Sequence, residues 1–229
     1  MIISHKYRFI FIKTNKTAGT SIEIALSRFC GDKDVITPIV PEDEEIRKRL
    51  GYRGAQNYLA PILDYRWQDL VRFMRKGKRK LRFFNHISAK EIREKIGENI
   101  WKSYFKFCFE RNPFERVISL YYWRNQKEPR PTISEYLASD ELARLIKRGV
   151  ELYSIDGKIA VDRVCIYEDL ERELEKIRVH LGIPEKIELP LTKSSFRKDK
   201  RSYREILSGE QIEKIRELFN KELSLFGYE

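Results

Sequence analysis

Cysteine is scarce in this sequence: Cys30, Cys108 and Cys165 are the three in a chain of 229 residues. An odd count without any C-x-x-C spacing excludes a disulfide framework and gives no zinc-binding pattern. Cys108 and Cys165 sit in apolar, strand-like runs, where a free buried thiol is the ordinary state. The reading is a reduced, cytoplasmic protein with no metal expected. Long apolar runs are also missing. Nothing approaches the roughly 20 residues of a spanning helix, so no membrane span is expected. The apolar run at 7–12 is too short for a secretory signal and passes directly into a polar loop, so neither export nor anchoring is expected. The Walker A pattern G-x-x-x-x-G-K-[ST] is absent, and Gly77-Lys78 is followed by Arg79 outside any strand context. Repeats and low-complexity linkers are lacking too, which makes one domain over residues 1–229 the simplest count.

What the chain does have is charge. Charged residues make up 35% and the formal net charge is +11, against 41% hydrophobic and 12% aromatic residues. This is a globular composition with a preference for anionic partners. Nucleic acid, an acidic polysaccharide, a membrane surface and a polyphosphorylated cofactor all satisfy it. Composition does not choose among them.

Periodicity gives the organisation. Residues 7–12 read as a buried strand, followed by a polar loop and by a helix from Ser21 whose apolar face is Ile22, Ala25, Leu26 and Phe29. Residues 34–40 and 81–84 are further strand candidates. Residues 41–80 form a helical or irregular insertion that opens on an acidic run and ends on a basic one. Ser88 and Glu91 have capping-box spacing for a helix over 89–96. Residues 104–109 are a strand, and Asn112 with Pro113 starts the next helix, Glu115 completing the box spacing. Residues 161–167 are a strand and lead to a helix carrying Leu170, Leu174, Ile177 and Leu181, stopped by Gly182 and Pro184. Ser208 and Gln211 cap a final helix to residue 226. Strands alternating with helices imply an α/β fold: a central, mainly parallel sheet flanked by helices.

Two segments carry chemistry. The loop Lys16-Thr17-Ala18-Gly19-Thr20-Ser21 lies between the first strand and its helix, where α/β folds bind ligands. Backbone N–H groups there attract anions, Gly19 allows close approach or positive φ, Thr20 and Ser21 offer hydroxyls, and Lys16 a charge. An ordinary capped turn fits this segment equally well. In the second segment Arg111 stands at a strand's carboxyl end, while Asn112, Arg116, Ser119 and Trp123 fall on one helical face. Arginine and serine there suit a phosphate. A surface helix with Arg116 paired to an acid is the alternative.

Together these segments resemble the sulfotransferases that use 3′-phosphoadenosine-5′-phosphosulfate (PAPS). Residues 16–21 resemble their 5′-phosphosulfate loop, and Arg111-Asn112-Pro113 with Arg116, Ser119 and Tyr121 resembles their 3′-phosphate signature. Asn85-His86-Ile87-Ser88-Ala89, Ile166-Tyr167-Glu168-Asp169-Leu170 and Phe226-Gly227-Tyr228 resemble the carbohydrate-type branch. One departure is Asn15, where many relatives place proline. The resemblance implies a P-loop-like three-layer fold. It also implies that Lys16, Thr17, Ala18, Gly19, Thr20 and Ser21 hold the 5′ end of PAPS, and Arg111 and Ser119 the 3′-phosphate. Lys193 and Arg197 would belong to a C-terminal cofactor loop.

Sulfuryl transfer needs an activated acceptor hydroxyl and stabilisation of the departing phosphate oxygen, which lysine and backbone donors supply without a metal. Lys16 takes the second role. Of the three histidines, His5 precedes the first strand, His180 sits beside an apolar helix stripe, and His86 opens a polar loop at the expected rim. By this position and by the resemblance His86 is the candidate base, with Glu110 as rival because other sulfotransferases use a glutamate. The acceptor expected is a hydroxyl compound, a carbohydrate by the resemblance, and no nucleic acid. A P-loop kinase and a non-enzymatic polyanion-binding module, the latter favoured by the basic cluster at 75–82, are the competing readings.

Overall fold

Phe9 and Phe11 point to one face of their strand and Ile10 and Ile12 to the other, and all four are buried. A strand covered on both faces belongs inside a layered sheet. The computed structural model, which describes residues 1–190, 199 and 201–228, puts it there. Along the chain, β1 (Ile2–Ser4) and β2 (Phe9–Ile12) lead into α1 (Gly19–Ser27), β3 (Val35–Ile36), α2 (Pro41–Arg49) and α3 (Trp67–Lys76). Next come α4 (Ala89–Ile96), α5 (Glu98–Ser103), β4 (Phe105–Glu110), α6 (Pro113–Arg124), α7 (Ile133–Leu137) and α8 (Asp140–Lys147). A small hairpin, β5 (Ser154–Ile155) with β6 (Lys158–Ile159), precedes β7 (Arg163–Ile166), α9 (Leu170–His180), α10 (Tyr203–Ile206), α11 (Gly209–Leu218) and α12 (Asn220–Phe226).

The main sheet has the order β3-β1-β2-β4-β7. β2 pairs parallel with β4, and β4 with β7; β1 alone runs against its neighbours. The expected mainly parallel sheet is present, with β1 as an addition. Its three residues are too few to show a period, so the sequence pattern passes over it. On one face α1 and α9 bring Ile22, Leu26, Leu174 and Ile177 onto Phe9, Phe11, Phe107 and Phe109. On the other, α4 and α5 bring Ile92 and Trp101 onto Ile10, Ile12 and Cys108. These are the three layers expected. Burying each such phenylalanine is worth about 1.5–3 kcal/mol, and close ring pairs such as Phe11–Phe107, 5.4 Å between centroids, add somewhat more. A third cluster packs α6 against α7, α8, α11 and α12 through Phe114, Val117, Leu145 and Phe219.

Local signals hold where they are short-range. Ser88 accepts the Glu91 amide and closes its capping box, Ser208 does so with Gln211, and the Asn112 side chain accepts from the Phe114 amide. Glu115 does not close a box; it accepts the Tyr203 amide at 3.1 Å, tying α6 to α10. The expected strand at 81–84 does not form. Leu81 makes only an isolated bridge to Leu59, and the Arg82 and Phe83 amides both donate to the Tyr58 carbonyl. The strand at 34–40 shrinks to Val35–Ile36 at the sheet edge. The closing helix breaks at Phe219, whose φ of −115° departs from helical values.

Candidate active site

The parallel pairing of β2 with β4 decides where the site forms. Ile12 lies beside Cys108, so the two chains leave the sheet on the same rim, one into α1 and the other into α6. Thr14 fastens the two exits together: its hydroxyl donates to the Phe109 carbonyl. Above this junction lies a cavity of about 320 Å³. Lys16, Ala18, Gly19, Thr20 and Ser21 line it from one side, Arg111 and Ser119 from another, and His86 from a third. Residues more than 90 positions apart thus meet in one space. Among the described residues, the structure brings together every site residue proposed from the sequence except Thr17. Thr17 is buried, with its hydroxyl 2.8 Å from that of Thr14, so only its backbone is left for a ligand. Lys193 and Arg197 lie outside the described residues.

Of the two roles open to Gly19, close approach is the one this loop uses. Gly19 does not supply the positive φ; Lys16 (φ 64°) and Ala18 (φ 55°) do. Gly19 is needed for space, since a Cβ there would stand 2.8 Å from Cγ of Lys13. His86 is also left-handed, at φ 58°. A non-glycine residue in this region costs about 1–2 kcal/mol. Three such residues around one cavity are the kind of stored strain that functional sites carry. The helix start offers its first amide N–H groups to the cavity, and Lys16 holds Nζ 5.1 Å from the Trp123 ring centroid.

His86 is oriented by a main-chain contact. Its Nδ1 lies 2.9 Å from the Lys13 carbonyl oxygen, which can only accept, so Nδ1 carries the proton and Nε2 keeps its lone pair. Burial, and after it the charge of Lys13, lower the imidazole pKa to about 3. The ring is therefore neutral throughout the physiological range. Glu110, the rival base, does not line the cavity. It is fully buried, ion-paired with Arg116, and receives the Tyr153 hydroxyl at 2.9 Å. Arg116 is itself fully buried between Glu110 and Glu222 rather than on a polar face with Ser119. Arg116 is paired to acids as the alternative had it, but inside the core and not on a surface helix.

Several residues here carried no readable signal. Glu23 in α1 is fully buried and gathers the Met1 amine at 2.9 Å, Lys13 at 2.8 Å and Arg47 at 3.8 Å, with the Thr37 hydroxyl at 2.9 Å. Burial pushes this carboxyl up, but Lys13 foremost, with the Met1 amine and Arg47, outweighs it and holds the pKa at about 2. Lys13 also reaches Asn85 at 3.4 Å, which links the floor of the site to the His86 segment. Asp43 of α2 lines the cavity, so the 41–80 region is part of its wall. Arg111 stacks on Tyr167, 4.5 Å from the ring centroid. Glu168 accepts the Asn112 amide and the Tyr228 hydroxyl, both at 2.9 Å, so the motifs around 166–170 and 226–228 brace the start of α6. The three cysteines are free and buried. Among the described residues no group of acidic, histidine or cysteine side chains suits a metal, and no helix is long and apolar enough to cross a membrane.

Comparison with known proteins bears on this arrangement. An uncharacterized protein of Archaeoglobus fulgidus is 31% identical over 101 residues, covering 43% of this chain and 84% of the relative. A crystal structure of a mouse sulfotransferase complexed with PAP aligns over 96% of this chain and 85% of that one, at 16% identity and a TM-score of 0.48. The sequence model described as the sulfotransferase family matches residues 1–154, about two thirds of the 229. That span holds the 16–21 loop, His86, Arg111 and Ser119, and over it the chain belongs to the sulfotransferase family.

Proposed function

We propose that this sulfotransferase takes its sulfuryl group from PAPS and delivers it to a hydroxyl of a carbohydrate, within a single domain over residues 1–229. The observation that carries the donor assignment is the shared cavity. One wall is a helix N-terminus with Lys16, Thr20 and Ser21, and another is Arg111 with Ser119, giving two separate anion-binding ends in one space. A nucleotide with phosphates at both ends has the chemistry to use both. The carbohydrate assignment rests on the likeness of the 85–89, 166–170 and 226–228 segments to that branch. The free cysteines support a cytoplasmic setting.

The donor supplies a sulfur centre whose bond to the 5′-phosphate oxygen breaks as the acceptor oxygen bonds to it in line. His86 takes the acceptor hydroxyl's proton at Nε2, with Nδ1 held on Lys13. Lys16 and the α1 amides stabilise the charge that gathers on the departing phosphate. Arg111 and Ser119 hold the 3′-phosphate, and Lys193 and Arg197 are assigned to the C-terminal cofactor loop that the resemblance implies. Every role here is carried by protein groups, so the reading expects no metal requirement.

A thermal-shift titration tests the donor class. At about 100 times Kd, adenosine 3′,5′-bisphosphate stabilises by about 2.7 kcal/mol, or roughly 5–10 °C in Tm for a chain of this size. Ser119→Ala is expected to weaken its binding about tenfold, the loss of one hydrogen bond to a charged group. A shift with ATP and none with the bisphosphate would sink the assignment.

A further inference from the structure

The basic stretch that precedes His86 has no part in the site described above. Residues 66–82 hold eight lysines and arginines and one acid, Asp69. Within them α3 is a helix with no buried residue. At roughly 100° per residue, Leu70, Met74, Trp67 and Val71 fall within a single arc of about 100°. Asp69, which pairs with Lys80 at 2.7 Å, and Phe73, whose ring meets Tyr65, lie outside this arc and tie the helix to the chain on either side of it. Trp67 and Met74, at the centre of the arc, face outward, while Leu70 and Val71 at its edges are half-buried. Trp67 is 77% exposed and Met74 82%, and Leu63 in the turn just before the helix is 97% exposed. A folded protein seldom leaves large apolar side chains together in water unless something covers them.

We propose that α3 and the turn before it dock on an anionic lipid bilayer, lying in its surface. The observations select this occupant. Exposed Arg75 stands beside the apolar arc, Lys76 closes the helix, and Arg72, Lys78 and Arg79 line the groove beneath it, so the apolar face is set in basic surroundings, the composition of an interfacial helix, and tryptophan favours the headgroup depth. A second copy would bring two strongly basic faces together, so self-docking is opposed by charge. A charged polymer would satisfy the lysines and arginines but offer nothing to Leu63, Trp67 and Met74. The helix has 10 residues, enough to lie on a membrane and too few to cross it. The surface also adjoins the site: Pro38 borders the groove beneath α3, and the next two residues, Ile39 and Val40, line the catalytic cavity. This inference does not depend on the identity of the donor.

The test is co-sedimentation of the full chain with vesicles of phosphatidylcholine, with and without about one-third phosphatidylglycerol. Binding is expected to the anionic vesicles and to weaken at about 0.5 M salt, each basic residue near the surface contributing about fivefold. The Trp67→Ser/Met74→Ser double variant is expected to lose at least about tenfold in partitioning, with Tm unchanged because both side chains are exposed. Absence of binding to anionic vesicles overturns the proposal. So does binding that the double variant leaves undiminished, which would reflect net charge alone. A concentration-dependent dimer abolished by the same variant would reassign the face to a second copy and also overturn it.

Discussion

Replacing His86 with asparagine separates proton abstraction from every other task at the site. The asparagine amide can still donate toward the Lys13 carbonyl, which His86 Nδ1 reaches at 2.9 Å, but it has no basic nitrogen to put in place of Nε2. Positioned general bases contribute typically about 10²–10⁴-fold. Burial and Lys13 hold His86 at a pKa of about 3, so it is a weak base before the anionic donor arrives. The lower part of that range is expected, a loss of about 10²–10³-fold in kcat, or about 3–4 kcal/mol of barrier. The measurement is single-turnover transfer of labelled sulfuryl at saturating donor, beside calorimetric titration with adenosine 3′,5′-bisphosphate. Donor affinity should stay within about threefold, because anion binding is assigned to the α1 start, Arg111 and Ser119. A kcat within about fivefold of the parent would refute the reasoning. A rate loss matched by an equal loss of donor affinity would refute it too, since His86 would then be a binding residue.

Two more expectations follow from buried charge. Arg116→Met strands Glu110 and Glu222 without their cation, which should cost about 3–5 kcal/mol and lower Tm by roughly 6–20 °C, with donor affinity of the folded protein unchanged. An unchanged Tm with lost donor affinity would move Arg116 into the site. The second concerns acid. Because His86 titrates at about 3 when folded and near 6.5 when unfolded, the unfolded chain binds the extra proton between those values. The His86 contribution is therefore complete above pH 6.5 and is lost as pH falls toward 3. Glu23, held at about 2 against 4.5, adds a second loss below pH 4.5. Urea midpoints from pH 7 to 4.5 should fall more steeply for the parent than for His86→Asn; parallel lines would contradict the depressed imidazole.

The residues legible in advance share a property: their evidence lies within a few positions of themselves. The alternation of Phe9 to Ile12, the caps at Ser88, Asn112 and Ser208, and the loop before α1 are read from neighbours, because hydrogen bonds and side-chain direction there are local. Family likeness then joined the 16–21 loop to Arg111 and Ser119. Tertiary structure decided the rest, since it depends on which distant groups share a space. A lysine, an arginine and a glutamate look like surface residues in sequence. Lys13, Arg47 and Glu23 are buried only because α2 and the start of the chain close over α1, and burial is tolerable only because the charges meet. Arg116, read on a polar helix face, and Glu110, read as the rival base, form a buried pair on the same ground. His86 took its tautomer from a carbonyl 73 residues away. The sequence by itself determined the longer elements with local signals and the chemistry at hand; the parallel register of β2 on β4 decided that this chemistry would face one cavity, because only that pairing sets both strand ends on the same rim.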